Sequence, residues 1–186
     1  MREQLENPVL PQCKNAPVQS IRREVDLAWL AGIIDGEGCL TVDLKMADNG
    51  KHYLMPKIRV INTDVRMIQK CAQIYKDHGV VFFYNINKKR KEHYKDQTAI
   101  IVSSQGSSVK VLKAIIPYLA NKQEIAVVML NIIELVQAFP KGGNTSSYDY
   151  TADATFSALM AQWNDVRAFH IDPSTTSRKA REVISW

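Results

Sequence analysis

Cysteine is scarce and unpatterned in this chain. Its three copies, Cys13, Cys39 and Cys71, are odd in number and far apart, which excludes a disulfide framework and the paired spacings of a structural zinc site. A reducing compartment is the expected setting. Long apolar runs are missing too: each is interrupted well short of the roughly 20 residues that a membrane-spanning helix needs. Residues Met1 to Leu10 carry acids and no apolar stretch, so no secretory leader is expected. The expected protein is soluble and intracellular, with no membrane partner. Acidic residues are outnumbered, 19 against 24 basic, giving a formal charge of +5, and that balance favours a polyanionic partner. With 186 residues and 46% apolar content, one domain with a real core is expected.

The most informative stretch is Leu30-Ala31-Gly32-Ile33-Ile34-Asp35-Gly36-Glu37-Gly38. The spacing predicts a helix from about Val25, on which Ala28, Gly32 and Gly36 fall at i, i+4 and i+8, a stripe without bulk along one face. Glycine weakens a helix by about 1 kcal/mol relative to alanine, so its use here asks for a reason, and close approach of a second backbone is one. Val25, Leu27, Trp29, Leu30, Ile33 and Ile34 fill most of the remaining circumference, which predicts a helix buried nearly all round. Its end would deliver Glu37 to wherever the contacting helix also ends.

The rest of the chain alternates helical and strand patterns. Residues Met1 to about Ser20 are polar and hold Pro8, Pro11 and Pro17, so residues 1–20 read as an extended arm, 21–169 as the domain and 170–186 as a partly helical tail. From Cys39 the period is two: Leu40, Val42, Leu44 and Met46 alternate with Thr41, Asp43 and Lys45. Asp48-Asn49-Gly50 supplies a turn and Tyr53 to Ile61 a second strand. Asn62-Thr63-Asp64 caps a helix that Gly79 stops. A second hairpin joins Val80 to Ile86 with Tyr94 to Ser103 through the basic tip Lys88-Lys89-Arg90-Lys91. Helices are expected near Ser108 to Leu119, Asn121 to Phe139, Ala152 to Phe169 and Thr176 to Ser185.

The nine-residue run resembles the signature of the LAGLIDADG homing endonucleases. Leu30, Ala31, Gly32, Ile34, Asp35 and Gly38 agree with the motif letter by letter, Ile33 is a near equivalent of its Leu, Gly36 stands at its second Ala, and Glu37 replaces its Asp. The element order from about Val25 to Phe139 is a second agreement. The resemblance implies an α+β, α-β-β-α-β-β-α fold whose antiparallel sheet has one face under helices and the other on DNA. No second copy of the motif occurs, so the resemblance implies a homodimer meeting at Ala28, Gly32 and Gly36.

It also implies a site. Glu37 would be the metal-binding acid, with a backbone oxygen near Gly36 as a further ligand, and Mg²⁺ (with Mn²⁺ as a substitute) suits such oxygen donors without a His or Cys cluster. Asp35 is expected to hold the helix ends or support the site. Lys122, within Pro117-Tyr118-Leu119-Ala120-Asn121-Lys122-Gln123, matches the segment whose lysine reaches the scissile phosphate. Asn62, or its neighbour Thr63, stands where relatives position water, and Arg66 or Met67 where a basic pocket is completed. Lys45, Lys57, Arg59, Tyr84, Lys95 and Gln97 are the candidates for base contacts in a major groove, with Lys88, Lys89, Arg90 and Lys91 on phosphates. The implied activity is a metal-dependent double-strand break in a long, pseudo-palindromic DNA site, promoting mobility of an intron. The rival readings are a maturase that binds intron RNA and a non-cleaving DNA-binding regulator on the same fold.

Overall fold

The computed structural model describes residues 18–46, 48, 52–88, 93, 95–139 and 150–170. In chain order they form α1 (Val18–Glu37), β1 (Gly38–Met46), β2 (His52–Asn62), α2 (Val65–Asp77), β3 (Phe83–Asn87), β4 (Gln97–Val102), α3 (Gln105–Ile115), a 3-10 turn (Ile116–Tyr118), α4 (Gln123–Ala138), a second 3-10 turn (Tyr150–Ala152) and α5 (Ala154–His170). The strands make one antiparallel sheet in the order β1-β2-β4-β3. Most of the expected arm, the tip residues Lys89 to Lys91, Cys13 and the expected helix from Thr176 to Ser185 lie outside the described residues. Cys39 and Cys71 are free thiols, and none of the described helices is long and apolar enough to cross a membrane.

Local chemistry explains the boundaries, including those the sequence pattern misplaces. Helix α1 starts at Val18 rather than Val25, because Pro17 is the last breaker and Ile21, Arg22, Arg23 and Glu24 are all compatible with helix. Asp64 caps α2 by accepting from the Arg66 N–H at 2.9 Å. The same helix ends where Gly79 takes φ +61° and the Val80 N–H reaches back to the Tyr75 carbonyl at 2.9 Å, a left-handed cap that glycine adopts without strain. Helix α3 begins three residues before the expected Ser108, since the Ser104 hydroxyl accepts from the Ser107 N–H at 3.3 Å and Gly106 is absorbed in the first turn. Asp153 caps α5 through the Phe156 N–H at 3.0 Å.

The core lies between the helices and one face of the sheet. Leu30, Ala31 and Ile34 of α1 meet Leu40, Val42, Leu54, Ile58, Val60, Ile100 and Val102 of the strands, and Met129, Ile132 and Ile133 of α4 close the layer. Each such large side chain contributes about 1.5–3 kcal/mol by leaving water. Trp163 and Phe156 carry α5 onto the same cluster. Along the α1–α2 seam, the Lys70 ammonium lies 4.3 Å from the Trp29 ring centre and 3.6 Å from Asp26, so its stem covers apolar surface while its charge stays wet.

The expectation that α1 is buried all round is not met in the single chain. Leu30, Ala31 and Ile34 are buried and Leu27, Trp29 and Ile33 partly so, but Ala28, Gly32 and Gly36 are exposed and Val25 is 61% exposed. The small-residue stripe is therefore an open face among the described residues, where no other helix crosses it.

Candidate functional site

Glu37 is the last residue of α1, and its side chain is exposed. The chain turns directly from this helix into β1 at Gly38, where an added Cβ would lie 2.6 Å from both the Cα and the carbonyl oxygen of Ile34. Only glycine lets the strand leave so close to the helix backbone. Gly32 and Gly36 are different, since a Cβ at either would meet nothing within 4 Å. Nothing among the described residues requires glycine at those two positions.

Asp35 holds the far side of this helix end. Its carboxylate accepts from the backbone N–H groups of Ala120 at 2.7 Å, Asn121 at 3.3 Å and Lys122 at 2.9 Å. Partial burial pushes its carboxyl up, and these three donors with the nearby Lys122 charge outweigh that, so it sits below the ordinary carboxylate value. Helix α4 begins at Gln123, two residues after the expected Asn121, and the Asn121 and Lys122 N–H groups that precede it are among these donors. The Lys122 ammonium returns the contact, donating to the carbonyl oxygens of Ile34, at 2.9 Å, and Asp35. A cation thus sits on the negative end of α1 and an anion at the positive start of α4, each the favourable sign. The pair brings Lys122 to the helix end that carries Glu37.

Asn62 ends β2, and its side-chain oxygen accepts from the Asp64 N–H at 2.8 Å. Arg66 is 89% exposed and grips Asp64 through Nε at 3.2 Å and a terminal nitrogen at 3.0 Å. That contact lowers the Asp64 carboxyl and raises the guanidinium. Both side chains are committed locally to the turn between β2 and α2. Among the described residues no three His, Cys, Asp or Glu side chains converge, so a cation held here would draw on Glu37, backbone oxygen and groups from outside the chain.

Register sorts the sheet faces, because directly paired residues point the same way. The face away from the helices carries Cys39, Thr41, Asp43 and Lys45 of β1, then Tyr53, Met55, Lys57, Arg59 and Ile61 of β2. It continues through Gln97, Ala99 and Ile101 of β4 to Phe83, Asn85 and Asn87 of β3. Lys45, Lys57, Arg59 and Gln97 therefore share one surface, and Lys88 and Lys95 are exposed at its far hairpin. Lys57 is paired with Asp43 at 2.8 Å.

Tyr84 does not join them. It pairs with Ile100 and meets Phe82 edge-on at 5.6 Å, while Phe82 packs on Tyr75 of α2 at 5.8 Å. Tyr84 thus belongs to the helix side of the edge strand, and Phe83 and Asn85 occupy the outer positions instead. Asp43, Thr41 and Tyr53 were also passed over by the sequence reading, although the parity of Lys45 and Lys57 places them.

No protein-family model matches the sequence, and no curated protein matches it. Solved structures do. The homing endonuclease I-CvuI, in complex with its target in the presence of calcium, superposes with TM-score 0.50 at 19% identity, over 75% of this chain and 98% of that one. The meganuclease I-SmaMI, a LAGLIDADG homing endonuclease bound to uncleavable DNA, superposes with TM-score 0.51 at 15% identity, over 85% of this chain and 49% of that one. This chain has the LAGLIDADG homing endonuclease fold. It spans nearly all of I-CvuI and about half of I-SmaMI. Within this fold, α1 carries the nine-residue run as far as Glu37 and Gly38 opens β1, and among the described residues the outer sheet face is the surface left free of helices.

Proposed function

We propose that this chain is a homodimeric homing endonuclease that makes a site-specific, divalent-metal-dependent double-strand break in a long, pseudo-palindromic DNA site and so promotes mobility of its intron. The observation that carries the reading is the open stripe of Ala28, Gly32 and Gly36 running into the exposed Glu37. Two glycines in a helix, each costing about 1 kcal/mol against alanine, are unexplained among the described residues and explained by a second α1 lying against them across a two-fold axis. Such an axis brings two Glu37 carboxylates to one place, one for each DNA strand.

The donor set fits a hard divalent cation. Glu37 is a carboxylate at the negative end of a helix, an unfavourable position unless positive charge is supplied, and Mg²⁺ needs only one or two carboxylates beside water and substrate phosphate. Glu37 and the Gly36 carbonyl would hold the ion. Bound there, it would neutralise charge on the phosphate and make water a competent nucleophile. The chain's own part is positional. Asp35 fixes the 120–122 segment, Lys122 sets an ammonium beside the helix end, where it can stabilise charge developing on a phosphate, and Asn62 marks the end of the neighbouring strand. On the outer face Lys45, Lys57, Arg59 and Gln97 meet DNA, with Lys88 and Lys95 toward its flank and Lys89, Arg90 and Lys91 in the tip that follows.

The test is a cleavage assay on the intron-less form of the gene's own insertion site with Mg²⁺. Wild type cuts both strands, while Glu37→Gln, which removes the ligand charge at nearly constant shape, binds the site and leaves it intact. Strand scission at the wild-type rate by Glu37→Gln would refute the assignment.

A further inference from the structure

We propose that Arg59 reads a guanine within a few base pairs of the cleavage centre in each half of the target, an inference that rests on the DNA-cleaving reading above. Arg59 is the central cation of a row running Cys39, Arg59, Ile101, Phe83 across all four strands. The row holds no acid. Lys57, two residues away on the same face, is already occupied by Asp43 at 2.8 Å, whereas among the described residues no carboxylate pairs with Arg59. Its Nε is buried and has no hydrogen-bond partner. A buried donor left without an acceptor is costly, so the side chain gains by leaving this position when a ligand offers its guanidinium acceptors.

Position selects the ligand group. Strands lie about 4.8 Å apart, so four of them span about 14 Å, close to the roughly 12 Å width of a major groove. The interior strands β2 and β4 then lie over base edges, and the edge strands β1 and β3 toward the phosphates. Arg59 is on β2, flanked by β1 and β4. A guanidinium fork meeting base edges finds its best match in the O6 and N7 acceptors of guanine. Its register partner Cys39 is two residues beyond Glu37, about 7 Å of strand at 3.3 Å per residue. That is about two base-pair steps at 3.4 Å, which places the guanine in the inner part of each half-site, mirrored by the two-fold axis.

The experiment is selection of bound sites from a randomised DNA pool by the full chain, with wild type, Arg59→Ala and Arg59→Gln compared. Wild type should prefer guanine at one inner position per half-site by about 5- to 150-fold, the span expected for one bidentate base contact. Arg59→Ala should erase that preference and no other, and Arg59→Gln should move it to adenine, whose N6 and N7 suit a carboxamide. Should either variant fail to fold, wild type is measured on its selected site with 7-deazaguanine at that position, which removes the N7 acceptor and should weaken binding there alone. Uniform weakening by the variants at every position would make Arg59 a phosphate contact and overturn the inference, as would full affinity for the 7-deazaguanine site. A wild-type chain that selects no sequence at all overturns the endonuclease reading together with this one, whereas a selective, cutting enzyme whose preferences ignore Arg59 overturns this one alone.

Discussion

Removing the Asp35 carboxylate tests how the site is held together. Its oxygens take three backbone N–H groups from the 120–122 segment, two of them within 2.9 Å. Hydrogen bonds to a charged acceptor contribute about 1.5–3 kcal/mol each. This carboxylate is only half-buried, however, and water can replace part of what is lost, so Asp35→Ala should cost about 2 kcal/mol in all. In a chain of this length that is a fall of about 4–8 °C in Tm. The pH dependence supplies a sharper criterion. Asp35 is depressed on folding by its backbone donors, against partial burial, so the stability it contributes is fully present above the unfolded carboxylate value and is lost as pH falls through the folded one. Asp35→Asn keeps the shape and removes the titration. Its deficit against wild type should be largest at neutral pH and shrink as the solution is acidified below the ordinary carboxylate range. Thermal melts followed by circular dichroism across that range measure both effects. Equal melting at pH 7, or a deficit that persists unchanged in strong acid, would show that the three hydrogen bonds are not what holds the segment.

Three further outcomes follow from the same geometry. Gly38→Ala should lower stability by about 1–3 kcal/mol, the usual cost of forced overpacking, because its Cβ would press on the Ile34 backbone at 2.6 Å; a denaturant midpoint equal to wild type would contradict the close approach. Lys122→Met removes the ammonium from the Ile34 and Asp35 carbonyls, so it should slow single-turnover scission well beyond any loss of affinity, and an unchanged rate with weaker binding would reduce Lys122 to a backbone contact. Gly32→Leu should dissociate the dimer, since each substitution acts twice across a two-fold contact, and sedimentation that finds wild type monomeric at micromolar concentration with DNA present would remove the shared site.

What was legible in the sequence was whatever a single period controls. The alternation from Leu40 gives the side of β1 that meets the core at Leu40 and Val42, although Leu44 and Met46 on that side are exposed, and the helical spacing of Ile68, Cys71, Ala72 and Tyr75 gives the buried face of α2. Tyr84 was misplaced because Phe82, Phe83 and Tyr84 are aromatic in succession, so an edge strand with apolar groups on both faces offers no parity to read. Contacts between segments far apart in the chain were not legible. Nothing near Asn121 announces that Asp35, 86 residues earlier, takes its N–H. The α1 stripe was legible as a set of residues that avoid bulk, but the pattern does not show which molecule fills the space.

The two acids of the motif therefore have different roles despite their proximity, and the helix itself separates them. Residues two apart on an α-helix differ by about 200°, so Asp35 and Glu37 leave α1 on nearly opposite sides. Asp35 turns toward the start of α4 and receives three N–H groups, while Glu37 turns to solvent at the last helical position. Lys122 then covers the helix carbonyls immediately before Glu37. One acid spends its charge on joining α1 to the 120–122 segment; the other keeps its charge free at the negative end of the helix, where a further cation is favoured. In its proposed role, the longer arm of Glu37, in place of the motif's Asp, stands on a helix end that the Asp35–Lys122 exchange already holds.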